Sequence, residues 1–308
     1  MGFVGMASWA MLYWQSGAHR HNVRVVLSHG SSLEKLTRQL DEAGVLTSAN
    51  VFYLTMRLRG VAAQFQAGEY DIPARANMPQ IANILIKGAV VLHPITIVEG
   101  LTSQQIIAQL RATPILHGEV AVPPEGSLLP ETYLVARTMS RAALVAKMQA
   151  AQSQLVKALW AERAENLPFK HPHEAIILAS IVEKETGIAQ ERPLVAAVFV
   201  NRLHKKMRLQ SDPTIIYGLV GGKGKLGRSI RRSEIRRKTA YNTYQIDGLP
   251  PTPIANPGAA SLAAVLNPAN SPALYFVADG AGGHVFAQSL VAHQRNVQNW
   301  RRLAKQRK

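Results

Sequence analysis

The chain has 308 residues, 47% hydrophobic and 18% charged, enough apolar material to bury a core, and its length sets two domains as the starting expectation. It contains no cysteine, which excludes disulfides, thiolate chemistry and cysteine-based zinc sites. The net charge of +16 calls for an anionic partner: nucleic acid, an anionic membrane surface or an acidic polymer such as a glycan bearing peptide carboxylates.

Met1 to Trp14 is almost wholly apolar, with Ser8 the conspicuous polar residue. It is shorter than the ~20 residues that span a bilayer and lacks both a basic leader and a small-x-small cleavage site. We read residues 1–18 as the outer part of a membrane anchor, the alternative being a buried N-terminal helix. His19 to Arg24 is a basic exit, and Val23 to Leu27 a short strand. Ser31 or Ser32 caps a helix to about Ala43, stopped by Gly44, and Thr47 or Ser48 caps a second over Ala49 to Arg59. Gly68 to Ile72 reads as a strand and Met78 to Lys87 as a helix closed by Gly88. Short strands alternating with helices predict a small α+β module. It shows no catalytic constellation, so binding or spacing is its expected job.

Val91 to Val98 is β-rich, and Glu99 to Gln105 turns into a helix capped by Thr102 or Ser103. Pro123 to Tyr133 is a loop with two acids and a tyrosine. A long helix over Ser140 to Glu165 precedes another from about Glu174, and Pro193 fits the first turn of a third, ending near His204. Met207 to Tyr217 reads as partly extended, leading into the glycines of Gly221 to Gly227. Between Lys223 and Lys238 eight basic residues face only Glu234, which predicts a mobile, solvated segment or, more sharply, a polyanion contact. Gly248 to Gly258 is a rigid proline-rich loop. A short helix over Ala260 to Leu266, a hairpin across Asp279 to Gly283 and a helix from Ser289 complete the chain.

The stretch from Ile176 to Gly187 is apolar yet ends in two carboxylates, Glu183 and Glu185. At roughly 100° per residue, Ile177, Leu178, Ile181 and Val182 share a face. Glu185 projects near the middle of that face, and Glu183 lies opposite, beside Ile176 and Ala179. A carboxyl among aliphatic side chains is costly to ionise, so its pKa rises, which is what a general acid needs near neutrality. The plainer reading is a glutamate satisfied at a helix end by a backbone amide or an arginine.

Other chemistries lack their signatures. Gly221 to Gly227 misses the spacing of a phosphate loop, and His171 with His173 has no further ligand set for a metal. Gly126-Ser127 lacks the second glycine of a nucleophile elbow. The basic run contains no aromatic residue for base stacking, so no nucleic acid is expected.

Several words in fixed order carry a resemblance: Ile181-Val-Glu-Lys-Glu-Thr186, Val200-Asn-Arg-Leu203, Arg208-Leu-Gln-Ser-Asp-Pro-Thr214, Tyr241-Asn-Thr-Tyr244, Gly248-Leu-Pro-Pro251, Ile254-Ala-Asn-Pro-Gly258 and Tyr275-Phe-Val-Ala-Asp-Gly280. Over about residues 23–300 the chain resembles the MltG or YceG-like endolytic murein transglycosylases. The resemblance implies an α+β fold, with a LysM-like module at 22–92 before a larger mixed α/β catalytic domain at 93–308. It implies a single-pass anchor in the bacterial inner membrane with the catalytic domain in the periplasm. The implied activity is cleavage of the MurNAc–GlcNAc bond inside nascent peptidoglycan strands, leaving 1,6-anhydroMurNAc ends beside the peptidoglycan synthases, with no cofactor and no metal. Carried over residue by residue, Glu185 matches the family's catalytic acid, with Glu183 as the fallback. Gln210, Asn242, Tyr244 and Asn201 are candidate sugar contacts, with Tyr241 stacking or bonding; hydrogen bonds within the loops are the alternative for each. Asp212 could orient a loop or a sugar, and Glu125 matches a family element without an assigned role. A wall-binding scaffold without catalysis, a hydrolytic muramidase and a polyanion- or nucleic-acid-binding protein are the competing readings. Compared with the family, the basic insert of residues 221–238 is unusual.

Overall fold

The computed structural model describes residues 2–28 and 30–306, which divide into two compact units. The first comprises Met1–Ile95, Pro114–His117 and Tyr133–Ser140, and the second Thr96–Thr113, Gly118–Thr132 and Arg141–Lys308.

The first unit runs α1 (Gly2–Trp14), β1 (Val23–Leu27), α2 (Leu33–Glu42), α3 (Ala49–Leu58), β2 (Gly68–Ile72) and α4 (Met78–Lys87). β1 and β2 pair antiparallel, Val23 opposite Ile72 and Leu27 opposite Gly68. Each helix begins where a short polar side chain satisfies an otherwise orphaned amide. Ser32 accepts from the Lys35 amide, Ser48 from Val51, and Asn77 with Gln80 closes a capping box. Gly88 ends α4 in the left-handed conformation. Phe52, Met56, Tyr70, Ile72, Ile81 and Leu85 are fully buried between helices and hairpin, each stabilising the unit by about 1.5–3 kcal/mol. Beneath them Glu69, 3% exposed, accepts from Arg137 Nε and His93 Nε2, both at 2.8 Å. These donors hold its carboxyl below the ordinary range.

The 13-residue α1 packs onto this unit: Tyr13 is buried in its core and accepts from Arg59 Nη1 at 2.9 Å. No described helix is long and apolar enough to cross a membrane.

β3 (Leu92–Thr96) pairs with β4 (Thr132–Ala136), both strands belonging mainly to the first unit, and α5 (Ser103–Arg111), between them in sequence, opens the second. The second unit continues with α6 (Arg141–Ala161), α7 (Pro172–Glu185), α8 (Arg192–His204), α9 (Asp212–Val220), α10 (Arg232–Arg236) and α11 (Ala259–Leu266). The hairpin β5 (Tyr275–Ala278) and β6 (His284–Ala287) and the helix α12 (Leu290–Gln306) end it. Its core is α7 packed on α8 and α11, with Leu178, Ile181 and Val182 against Val195, Phe199, Leu262 and Val265. Phe276 of the hairpin meets Phe199 edge-on at 5.9 Å.

Two segments depart from the sequence reading. Of the stretch read as partly extended, residues 207–211 are non-helical and the rest is helix, because Asp212 and Pro213 open α9 in the first-turn positions that acids and proline favour. The basic segment is not a free loop. It contains α10, whose first turn is held by the Glu234 carboxylate accepting from the Arg231 amide at 2.7 Å.

Candidate active site

Glu185 is the last residue of α7, where the chain turns extended at Thr186. The apolar face made by Ile177, Leu178, Ile181 and Val182 is buried, and it carries the carboxyl into a poorly solvated position. Burial pushes the Glu185 pKa up to about 7. Ser211, the nearby Arg202 and His284 pull it down, while Asp212 pushes it further up. Ser211 Oγ donates to Glu185 Oε1 at 2.5 Å.

Ser211 is itself fixed. Its amide donates to Thr243 Oγ1 at 2.9 Å, and Thr214 Oγ1 donates to its carbonyl at 2.7 Å. The two threonine hydroxyls share a bond of 2.9 Å. All three residues are buried, so this polar knot ties the start of α9 to the Tyr241–Tyr244 loop. Gln210, immediately before it, is exposed and holds a left-handed backbone at φ 52°, a conformation costing an L-residue on the order of 1 kcal/mol. Its amide donates to Thr243 O at 3.1 Å.

Glu183 points elsewhere. Its Oε2 accepts from the Gly258 amide at 2.9 Å, at the N-terminus of α11, and Arg192 Nη2 stands 4.0 Å from Oε1. The two carboxylates of one word thus have separate surroundings, as a spacing of two on a helix requires.

The structure places the remaining candidates in three settings. Tyr244 Oη donates to Asp212 Oδ1 at 2.8 Å beside Glu185, and burial raises the Tyr244 pKa. Asn242, 1% exposed, sends its amide to the carbonyls of Glu234, Ile235 and Arg237 at 2.7–3.1 Å. Asn201 sends its amide to Ser271 O at 2.7 Å and Ala273 O at 2.9 Å. Both asparagines are therefore occupied in holding loops. Tyr241 bonds Thr252 at 2.8 Å and packs on Tyr217, whose hydroxyl donates to Glu125 Oε2 at 3.2 Å. Glu125 Oε1 also accepts from the Ser103 amide at 2.7 Å and from Asn256 Nδ2 at 3.0 Å. That carboxylate closes the first turn of α5.

Sequence reasoning passed over Ser211, Thr214, Thr243 and Asn256. Ser211 before Asp-Pro carries the signal of a helix cap, yet its hydroxyl makes no cap bond and goes to Glu185 instead.

The YceG-like family model matches residues 25–299. An endolytic murein transglycosylase of Bacillus subtilis strain 168 is 28% identical, covering 89% of this chain and 83% of that protein. The endolytic murein transglycosylase of Streptococcus pneumoniae strain D39 is 27% identical; the match again covers 89% of this chain but only 58% of the longer pneumococcal protein. A crystal structure of a yceG-like protein from Listeria monocytogenes superimposes with a TM-score of 0.54 at 27% identity, covering 90% of this chain and 99% of that one.

Proposed function

The chain belongs to the YceG-like family, and from that premise we propose that it is an endolytic lytic transglycosylase cutting the MurNAc–GlcNAc bond within peptidoglycan strands, with Glu185 as its acid and then its base. The observation that carries this reading is a half-buried carboxyl whose poor solvation raises its pKa to about 7, with one short hydroxyl contact. Such a group is substantially protonated near neutrality and changes state readily during a turnover.

In the first step neutral Glu185 gives its proton to the glycosidic oxygen as the bond to C1 breaks. The Ser211 hydroxyl then donates to the carboxylate left behind. That carboxylate takes the proton from the C6 hydroxyl of the same muramic acid, whose oxygen bonds C1 and closes the 1,6-anhydro ring. The nucleophile is already part of the substrate, so the step gains from proximity. Asp212, held by Tyr244, raises the Glu185 pKa and favours its acid form before the cut. Gln210, Tyr244 and Asp212 are the sugar contacts nearest the acid. Tyr241 and Glu125 belong to the wall joined through Tyr217, and Asn201 and Asn242 support the loops.

The first unit, with its strand–helix–helix–strand order, acts as a LysM-like module. The apolar N-terminal helix belongs to an anchor that keeps the catalytic unit at the outer face of the inner membrane, next to the synthases that make its substrate. Mass spectrometry of ends released from purified glycan strands tests the reaction. The proposal requires 1,6-anhydroMurNAc ends; reducing MurNAc ends alone mean a hydrolase, and uncut strands mean a scaffold.

A further inference from the structure

The basic segment of residues 221–238 takes no part in the acid–base chemistry, yet it is built into the same unit. A cavity of about 440 Å³ lies beside α9, walled mainly by apolar groups of Leu101, Pro213, Ile216, Val220 and Leu226, with Lys184 in the wall. Lys225 and Arg228 stand at its edge. Arg228 is neutralised by Glu234. Lys223, Lys225, Arg231, Arg232, Arg236 and Arg237 are exposed, and no ion pair with an acid joins any of them among the described residues. The backbone carrying these cations is held in place. Thr102 Oγ1 donates to Gly222 O at 2.6 Å, Asn242 holds three carbonyls of the α10 region, and Gln245 Nε2 donates to Ile235 O at 2.9 Å.

Fixed cations of one sign repel one another, and that cost is offset when an anion arrives. The anion must also suit a concave, mainly apolar cavity, which a flat lipid surface does not fill, and the basic run itself carries no aromatic residue on which bases could stack. A short peptide with methyl side chains and free carboxylates fits both features. The nine residues of α9 place this cavity along a helix about 13 Å long that starts beside Glu185, so a substituent of the same glycan strand can reach it.

We propose that the cavity beside α9 and its cationic rim bind a carboxylate-bearing peptide stem of the strand being cut, so that stem-bearing glycan is preferred over bare glycan. This rests on the peptidoglycan reading above and names the part of the substrate that the segment recognises.

The test compares a labelled GlcNAc–MurNAc carrying its peptide with the same disaccharide lacking it, by fluorescence anisotropy with the full chain and with the K223Q/K225Q/R231Q/R232Q variant. The full chain is expected to bind the stem-bearing form at least about fivefold more tightly at low salt, and the preference should vanish in the variant and at about 0.5 M salt. A preference that survives in the variant, or none in the full chain, overturns the proposal. So does a variant that loses only its sedimentation with phosphatidylglycerol vesicles, which would make the segment a membrane contact. Cutting is followed on strands with and without stems: equal cutting of both, with no stem preference, sinks this inference alone. Stem binding without any cutting sinks the catalytic reading alone.

Discussion

Ser211 Oγ lies 2.5 Å from Glu185 Oε1, the shortest link between α7 and the start of α9 at this site. A hydroxyl donating to a carboxyl favours its ionised form, opposing the burial that dominates the Glu185 pKa. Ser211→Ala removes the opposing influence and leaves the burial. The upper limb of the pH–rate profile should move to higher pH, and the rate at neutral pH should fall about tenfold to a hundredfold as the carboxylate formed in the first step loses its donor. A pH profile of anhydro-end formation by both proteins checks this.

Glu185 also weighs on stability. A glutamate ordinarily ionises near 4.5, and this one at about 7 when folded. Between those values the folded chain binds more protons than the unfolded one, so stability is full below about 4.5 and is lost as pH rises through about 7. Glu185→Gln cannot ionise. It should match the parent at pH 4 and exceed it by about 1–3 kcal/mol at pH 8, as read by urea denaturation at the two pH values.

Asn256, with no exposed surface, satisfies four groups at once. Its amide donates to Leu101 O, Ser103 Oγ and Glu125 Oε1, and its Oδ1 accepts from the Leu128 amide. Asn256→Ala leaves these buried partners unpaired and should cost about 2–4 kcal/mol. A drop in the denaturation midpoint with unchanged slope would be the signature.

Gly126 carries φ 77°, and a Cβ there would stand 2.6 Å from Pro253 Cγ and 2.9 Å from Ile176 Cγ2. Neither neighbour is a flexible chain end. Gly126→Ala should therefore destabilise by about 2–4 kcal/mol through strain and overpacking. Glycine at this position holds the Glu125 loop against α7, so activity should fall with stability in a thermal-inactivation assay.

Local signals were legible in the sequence because their physics is local. Ser32, Ser48 and Thr102 cap helices within three residues of themselves, Gly88 ends one, and the β5–β6 turn announces itself in its glycines. The apolar face that bears Glu185 follows from helical spacing alone. The partners of that carboxyl do not: Ser211 lies 26 residues away, and Thr243 a further 32. Only folding brings them together. Asn201 and Asn242 show the converse, for an amide in a family word looks the same whether it contacts a sugar or closes a loop. The start of α9 was obscured because Ser-Asp-Pro-Thr suits both a turn and a helix entrance, and the hydroxyl knot with Thr243 decides between them.

Everything in the mechanism depends on one carboxyl holding its proton at neutral pH. Carbon-13 NMR of glutamate-labelled protein, with the Glu185 carboxyl assigned by its absence in Glu185→Gln, reads that proton directly. A titration midpoint at about 7 is the expected result; a midpoint at the ordinary value of about 4.5 would leave the site without its acid and contradict the account.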